Sequence, residues 1–267
     1  MKKYWHVINI GIQNNLTYRV NFLFRAVFGF VPLLATIYLW RAIYQGKNGA
    51  DVAAWSLAEM TSYYLLVTVV DALTAVNDDD WQIAADIKDG NVSQFLLKPI
   101  DYLAYRLCLF LAGRLMYLAV AAVPVAVFIF CLRAYFIPPG GVLVILEFAL
   151  ALTLTALLQF FLAYTMALLA FWVLEVSTYI LMLFAFEYLA SGHLFPLDLL
   201  PPFWRGLLDY TPFPYQLYFP INVYLGRLPG PALLHGFLVQ AGWVAATYVL
   251  ARVVWARGLR KYSAVGG

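Results

Sequence analysis

The chain has 267 residues, of which 64% are hydrophobic and 12% charged, against roughly 25% charged in an average soluble domain. So few charges cannot cover a water-exposed surface, and apolar runs long enough to cross a bilayer recur along the whole chain, which excludes an anchored soluble domain. The basic residues behind the net charge of +3 are scattered at helix ends and form no cluster or stripe, so the charge gives no sign of a nucleic-acid partner, and none is expected.

The opening stretch to Tyr18 has two lysines but no apolar core and no small-residue cleavage site, so it does not read as a secretory signal. Trp5, Ile8, Ile12 and Leu16 repeat at helical spacing while His6, Asn9, Gln13 and Thr17 repeat on another face, which predicts an interfacial helix over residues 1–20. A first span follows at about 22–44, closing on Trp40 and Tyr44, aromatic residues suited to the headgroup layer. Residues 45–54 form a short polar loop, and a second span covers about 55–76. The most polar stretch is 77–106, with six aspartates, two lysines and one arginine. A third span at about 107–132 holds Cys108 and Cys131, which as helix would lie roughly 35 Å apart and cannot pair.

After the turn at Pro138, Pro139, Gly140 and Gly141, an apolar run continues to Leu174 without Pro or Gly. It is too long for one crossing, so the reading places a tight turn near 171–177 and two spans, about 142–170 and 177–191. Residues 192–230 carry Pro196, Pro201, Pro202, Pro212, Pro214, Pro220 and Pro229 among aromatics. Such a segment predicts short helices that dip into the membrane from one side, their freed backbone groups buried in protein or facing water. The last span is about 233–254, followed by Arg257, Arg260 and Lys261.

The expected fold is therefore all-α and integral to the membrane, one domain over 1–267 with six spans. With both termini cytoplasmic, ten Lys and Arg lie on that side against five opposite, in accord with the positive-inside rule. Residues 77–106 are then cytoplasmic and 192–230 external.

No Gly-x-x-x-x-Gly-Lys-Ser/Thr occurs, so any ATP coupling must come from a partner. His6, His193 and His235 sit on separate segments without metal-ligand spacing, and no Gly-x-Ser-x-Gly elbow is present. The expectation is a chain with no metal, no cofactor of its own and no catalytic residue.

The cytoplasmic stretch reads Asp86-Ile-Lys-Asp-Gly90-Asn-Val-Ser-Gln-Phe95-Leu-Leu-Lys-Pro99-Ile. In this it resembles the permease subunits of ABC-2 type exporters, whose loop between the second and third spans is a coupling helix docked on the ATPase. The resemblance continues at Ser191-Gly192-His-Leu-Phe-Pro196, at Thr211-Pro-Phe213-Pro-Tyr215 and at the ending Arg257-Gly-Leu-Arg-Lys-Tyr262. It implies an external re-entrant helical hairpin over 192–230. It also implies two ABC ATPase subunits that carry ATP and Mg, and a second copy or a sister permease completing the pair. The home implied is a bacterial or archaeal plasma membrane.

On this resemblance Asp86, Lys88, Asp89, Gly90, Phe95, Leu97 and Pro99 form the ATPase-coupling set. Exposed Asp86, Lys88 and Asp89 would make charge-assisted contacts, and Phe95 and Leu97 an apolar knob. Phe195, Pro196, Phe213 and Tyr215 are read as a hydrophobic external gate, or else as plain packing of short helices. Glu147 and Glu187, placed in the outer halves of the fourth and fifth spans, either line the translocation path or else snorkel to the outer interface or pair with Arg133 or Arg205. Asp71 and Arg114, in the inner halves of the second and third, read as a structural ion pair. The alternative function is a secondary transporter without an ATPase. It would show two halves of similar hydropathy and interrupted helices at mid-depth, and no such repeat is visible. An intramembrane enzyme would need ionisable groups clustered at one depth, and these four divide between two.

Overall fold

The computed structural model describes residues 2–17, 19–46, 51–52, 54–76, 79–131, 133, 136–173 and 175–262. They form α1 (Lys2–Thr17), α2 (Arg19–Gly46), α3 (Leu57–Thr74), α4 (Asp79–Lys88), α5 (Val92–Leu96), α6 (Tyr102–Cys131), α7 (Val142–Ala167), α8 (Ser177–Ala190), α9 (Pro202–Leu208), α10 (Tyr218–Tyr224) and α11 (Gly230–Lys261). Short 3-10 turns at Leu168–Phe171, Leu197–Leu199 and Phe213–Gln216 join them. The described chain is all-helical, as its apolar composition requires of backbone placed in lipid.

Among the described residues four helical stretches are long and apolar enough to cross a membrane: Val27–Gly46, Tyr102–Val120, Val142–Phe171 and Gly230–Lys261. The two other expected spans fall short for different reasons. α3 has 18 residues but carries Glu59 and Asp71 among its hydroxyls. α8 has only 14 residues, about 21 Å at ~1.5 Å per residue, against the roughly 30 Å of a hydrocarbon core. The long apolar run does break where its length demanded. α7 tightens into the 3-10 turn, the amides of Trp172 and Val173 both bond the Leu169 carbonyl, and α8 begins at Ser177.

α7 is the spine of the packing, contributing to three buried clusters. Its Phe160, Phe161 and Tyr164 join Ile83, Ile87, Val92, Tyr102 and Phe110 at one end. Phe148 meets Trp55, Tyr63, Leu66 and Val70 at the other, while Ala151 and Leu158 meet Tyr215 and Phe219 on the α11 side. The exposed apolar side chains run along helix exteriors, as with Phe28, Val31 and Leu39 on α2, Leu143, Leu146 and Leu150 on α7, and Leu234 and Leu238 on α11. In water such stripes would be sticky patches; in lipid they are the solvent-matched face.

α1 packs lengthwise against α6. The stripe turned inward includes Val7, Ile8, Gly11 and Ile12, with Trp5, Ile10 and Leu16 left outside. Backbones come close enough that a Cβ at Gly11 would lie 2.8 Å from that of Ala112, a small-residue contact of the kind membrane helices use.

Candidate functional site

Two regions collect the polar chemistry: the α4–α5 segment at one end of the bundle and a cavity within it. In the first, α4 lies on α7 and the 3-10 turn after it, held by the buried Ile83, Ala84 and Ile87. Gly90 turns the chain at φ +77°, a left-handed conformation that L side chains adopt only with strain. Buried Val92 then anchors α5 in the same cluster.

The seven residues expected to face an ATPase divide. Lys88, Asp89, Leu97 and Pro99 are exposed, and Leu97, at 88% exposure, is the most outward apolar group of the segment, with Leu96 beside it. Asp86 is turned inward instead. Its carboxylate accepts the Tyr102 hydroxyl at 2.7 Å and pairs with Arg106, which also donates to the Tyr102 oxygen, the Gln82 side chain and the Gln82 carbonyl. Arg106 is only 5% exposed, and a guanidinium so placed needs a carboxylate beside it. Phe95 likewise is half-buried, its ring 5.1 Å from that of Tyr102 and 4.8 Å from that of Tyr105. The outward apolar knob is thus Leu96 and Leu97, because Phe95 is drawn to the rings that begin α6.

Three ties fasten this segment to the rest. The Lys3 ammonium donates to the Pro99 carbonyl at 2.5 Å, Arg252 pairs with Asp101 at 2.5 Å, and the hydroxyls of Ser93 and Tyr262 lie 2.9 Å apart. Burial pushes the Asp101 carboxyl up, but the Arg252 hydrogen bond and charge and the Ala104 and Leu103 amides outweigh it and hold the group below the usual carboxylate range. A depressed folded-state pKa means that the stabilisation is present above the unfolded value and lost as pH falls through the folded one. Asp101→Asn is therefore expected to lower the thermal midpoint at pH 7, the difference from wild type vanishing as the pH is taken below the ordinary carboxylate range.

The cavity, of about 750 Å³, is bordered by α2, α3, α6, α7, α8 and residues 193–195. Here Asp71 accepts from His193 Nε2 at 3.0 Å, while Nδ1 meets the Ser191 hydroxyl at 2.6 Å and the ring stacks on Tyr188 at 4.8 Å. Glu187 borders the same cavity, as do Asp80 and Arg114. Asp71, Arg114 and Glu187, expected in two different halves of the spans, border one cavity. The reason is the shortness of α8: Glu187 lies near the end of a 14-residue helix, and the chain turns back at once through Gly192.

The expected pairings of Glu147 and Glu187 are replaced by others. Arg205 pairs with Asp198 at 2.6 Å, and Arg133 lies over the Phe130 ring at 4.9 Å. Glu147 stands half-buried on the second turn of α7, away from the cavity. His193 was legible only as a histidine without metal spacing; its partner is 122 residues away.

The four residues read as an external gate also separate. Phe195 borders the cavity, Pro196 is buried, Phe213 meets Phe186 of α8 at 5.1 Å, and Tyr215 packs on Phe219 at 5.8 Å. The segment holding them is braced on three sides. Tyr63 and Tyr64 donate to the carbonyls of Gly192 and Leu194 at 2.7 and 2.6 Å. Gln240 of α11 donates to the Tyr215 carbonyl at 2.9 Å. At the far end Asp198 accepts from the Trp55 indole at 3.0 Å and the Tyr218 hydroxyl at 2.7 Å, and Arg227 bonds Glu59 at 2.6 Å while lying 3.9 Å above the Trp55 ring. Burial, and then the Asp198 charge, push the Tyr218 phenol well up, so it remains a donor.

Among the described residues no group of three or more His, Cys, Asp or Glu is placed to hold a metal ion. The described residues, helical and with four stretches long and apolar enough to cross a bilayer, place the chain in the class of multi-pass membrane proteins. The profile of the ABC-2 family transporter proteins matches residues 30–266, and the chain belongs to that family. It is a membrane component of ABC transport, and the family is not itself catalytic. A search among curated proteins found no match.

Proposed function

We propose that the chain is the permease subunit of an ATP-driven exporter, forming half of a translocation path and receiving force from separate ATPase subunits through α4–α5. In this reading α3 and α8 with its flanks complete six crossings, 192–230 is an external re-entrant segment, and both termini lie in the cytoplasm of a bacterial or archaeal cell. A second copy or a sister permease supplies the other half, and two ATPases bind ATP and Mg.

The observation that carries the reading is mechanical. α4–α5 is not a free loop: it is bolted to α6 through Asp86 and Arg106, to α11 through Asp101 and Tyr262, and to α1 through Lys3. A push on its outer surface therefore reaches three long helices at once. That surface pairs an apolar tip, Leu96 and Leu97, with flanking Lys88 and Asp89, the make-up of a small protein-binding hot spot.

The test is co-purification from the native membrane in mild detergent, with mass spectrometry of what remains bound. A P-loop ATPase is expected, and Leu97→Asp should reduce its recovery at least about tenfold, the loss of one central apolar anchor. Recovery of the intact permease with its other partners but no ATPase would sink the reading in favour of a secondary transporter.

A further inference from the structure

The cavity is not used by the coupling surface, and its lining specifies an occupant. Its volume, about 750 Å³, lies within the roughly 300–1,000 Å³ of small-molecule sites. Glu187 borders it half-buried and accepts no hydrogen bond among the described residues. Gln159, on the α7 wall, is 7% exposed, and its amide oxygen has no hydrogen-bond partner among the described residues. These are two acceptors without donors on one cavity. Asp71 already accepts from His193, and Arg114 and Asp80 are engaged within the protein. The remaining wall is largely apolar, aliphatic residues such as Leu33, Val67 and Ile180 alternating with the rings of Trp40, Tyr64, Phe184, Tyr188 and Phe195. Ring faces attract cations, and a carboxylate beside them repels anionic cargo.

We propose that this cavity binds a lipophilic amine in its protonated form, the ammonium held by the Glu187 carboxylate, a polar hydrogen donated to the Gln159 amide oxygen, and the apolar body against this wall. The proposal rests on the permease reading only in making the occupant a cargo. Binding itself needs no ATPase, so its failure and the failure of ATPase recruitment are read in separate experiments.

The measurement is equilibrium binding of tritiated desipramine, a lipophilic secondary amine whose protonated form carries two N–H donors, one for each acceptor, to the full-length protein in phosphatidylcholine nanodiscs, with empty discs subtracted. Saturable binding near one per chain is expected. Neutral iminodibenzyl, which lacks the basic side-chain amine, should not compete, and the quaternary trimethylammonium analogue, whose cation has no N–H, should compete at least about tenfold more weakly. Glu187→Gln removes a charge but no hydrogen bond, so it should keep the wild-type thermal midpoint while weakening binding about tenfold or more; Gln159→Leu tests the second acceptor independently. Adding phosphatidylethanolamine to the discs separates two sources of the same chemistry: displacement identifies an aminolipid headgroup, and no displacement a soluble amine. No saturable binding above empty discs, equal competition by the quaternary compound, or an unchanged dissociation constant in both variants would overturn the proposal.

Discussion

Asp198→Ala is expected to destabilise the protein by about 2–4 kcal/mol, the cost of leaving two buried neutral donors unsatisfied, with little added by the half-exposed Arg205. Asp198 takes the Trp55 indole and the Tyr218 hydroxyl on one oxygen and Arg205 on the other. Trp55 is fully buried and Arg227 lies over its ring, so truncation strands an N–H and a hydroxyl that water reaches poorly. The loss should appear as a lower midpoint in detergent unfolding, with 192–230 loosening before the helices. Asp198→Asn, which keeps one acceptor, should recover part of it. Equal midpoints for alanine variant and wild type would mean that the network contributes nothing and that Trp55 is held by packing alone.

Arg106→Met is expected to free α4 without melting the bundle. The guanidinium joins Asp86, Tyr102 and Gln82, and its removal leaves the Asp86 carboxylate half-buried with only the Tyr102 hydroxyl as partner. The local cost is about 3 kcal/mol or more. Hydrogen exchange should rise roughly a hundredfold in residues 79–96, the equivalent of ~3 kcal/mol in local opening, while the α7 amides stay protected. Asp86→Ala should give the same pattern, and the double variant should be no worse than the singles, because the two residues act as one unit. If exchange in 79–96 were unchanged, the apolar contacts of Ile83, Ile87 and Val92 would be the true anchor, and the ion pair incidental.

Both predictions involve pairings that local pattern could not supply. Asp86 stood in a run of polar residues and read as solvated; what turned it inward was Arg106, 20 residues later, carried beside it when the chain reverses through Pro99 into α6. Phe95 is drawn inward by Tyr102 and Tyr105 on the same reversal. Glu187 reaches the cavity because the chain turns back just past Ala190, at Gly192, φ +99°, where a Cβ would meet the Tyr63 hydroxyl at 2.6 Å. Asp71 and His193 then come together across 122 residues.

What the sequence determined by itself is what depends on composition and local order. An apolar majority with scattered charges commits the chain to helices in a bilayer, since lipid offers no partner to an unpaired backbone group. A Gly- and Pro-free run longer than one crossing must turn near residue 171, and Gly90 and Pro99 punctuate the polar segment between α3 and α6. Tertiary structure alone decided which charges meet, which faces of α4 and α5 remain outward, and that Asp71, His193 and Glu187 share one cavity. Those outcomes depend on how far each helix reaches before it turns and on which distant side chain must satisfy a buried charge, and neither is encoded in local periodicity.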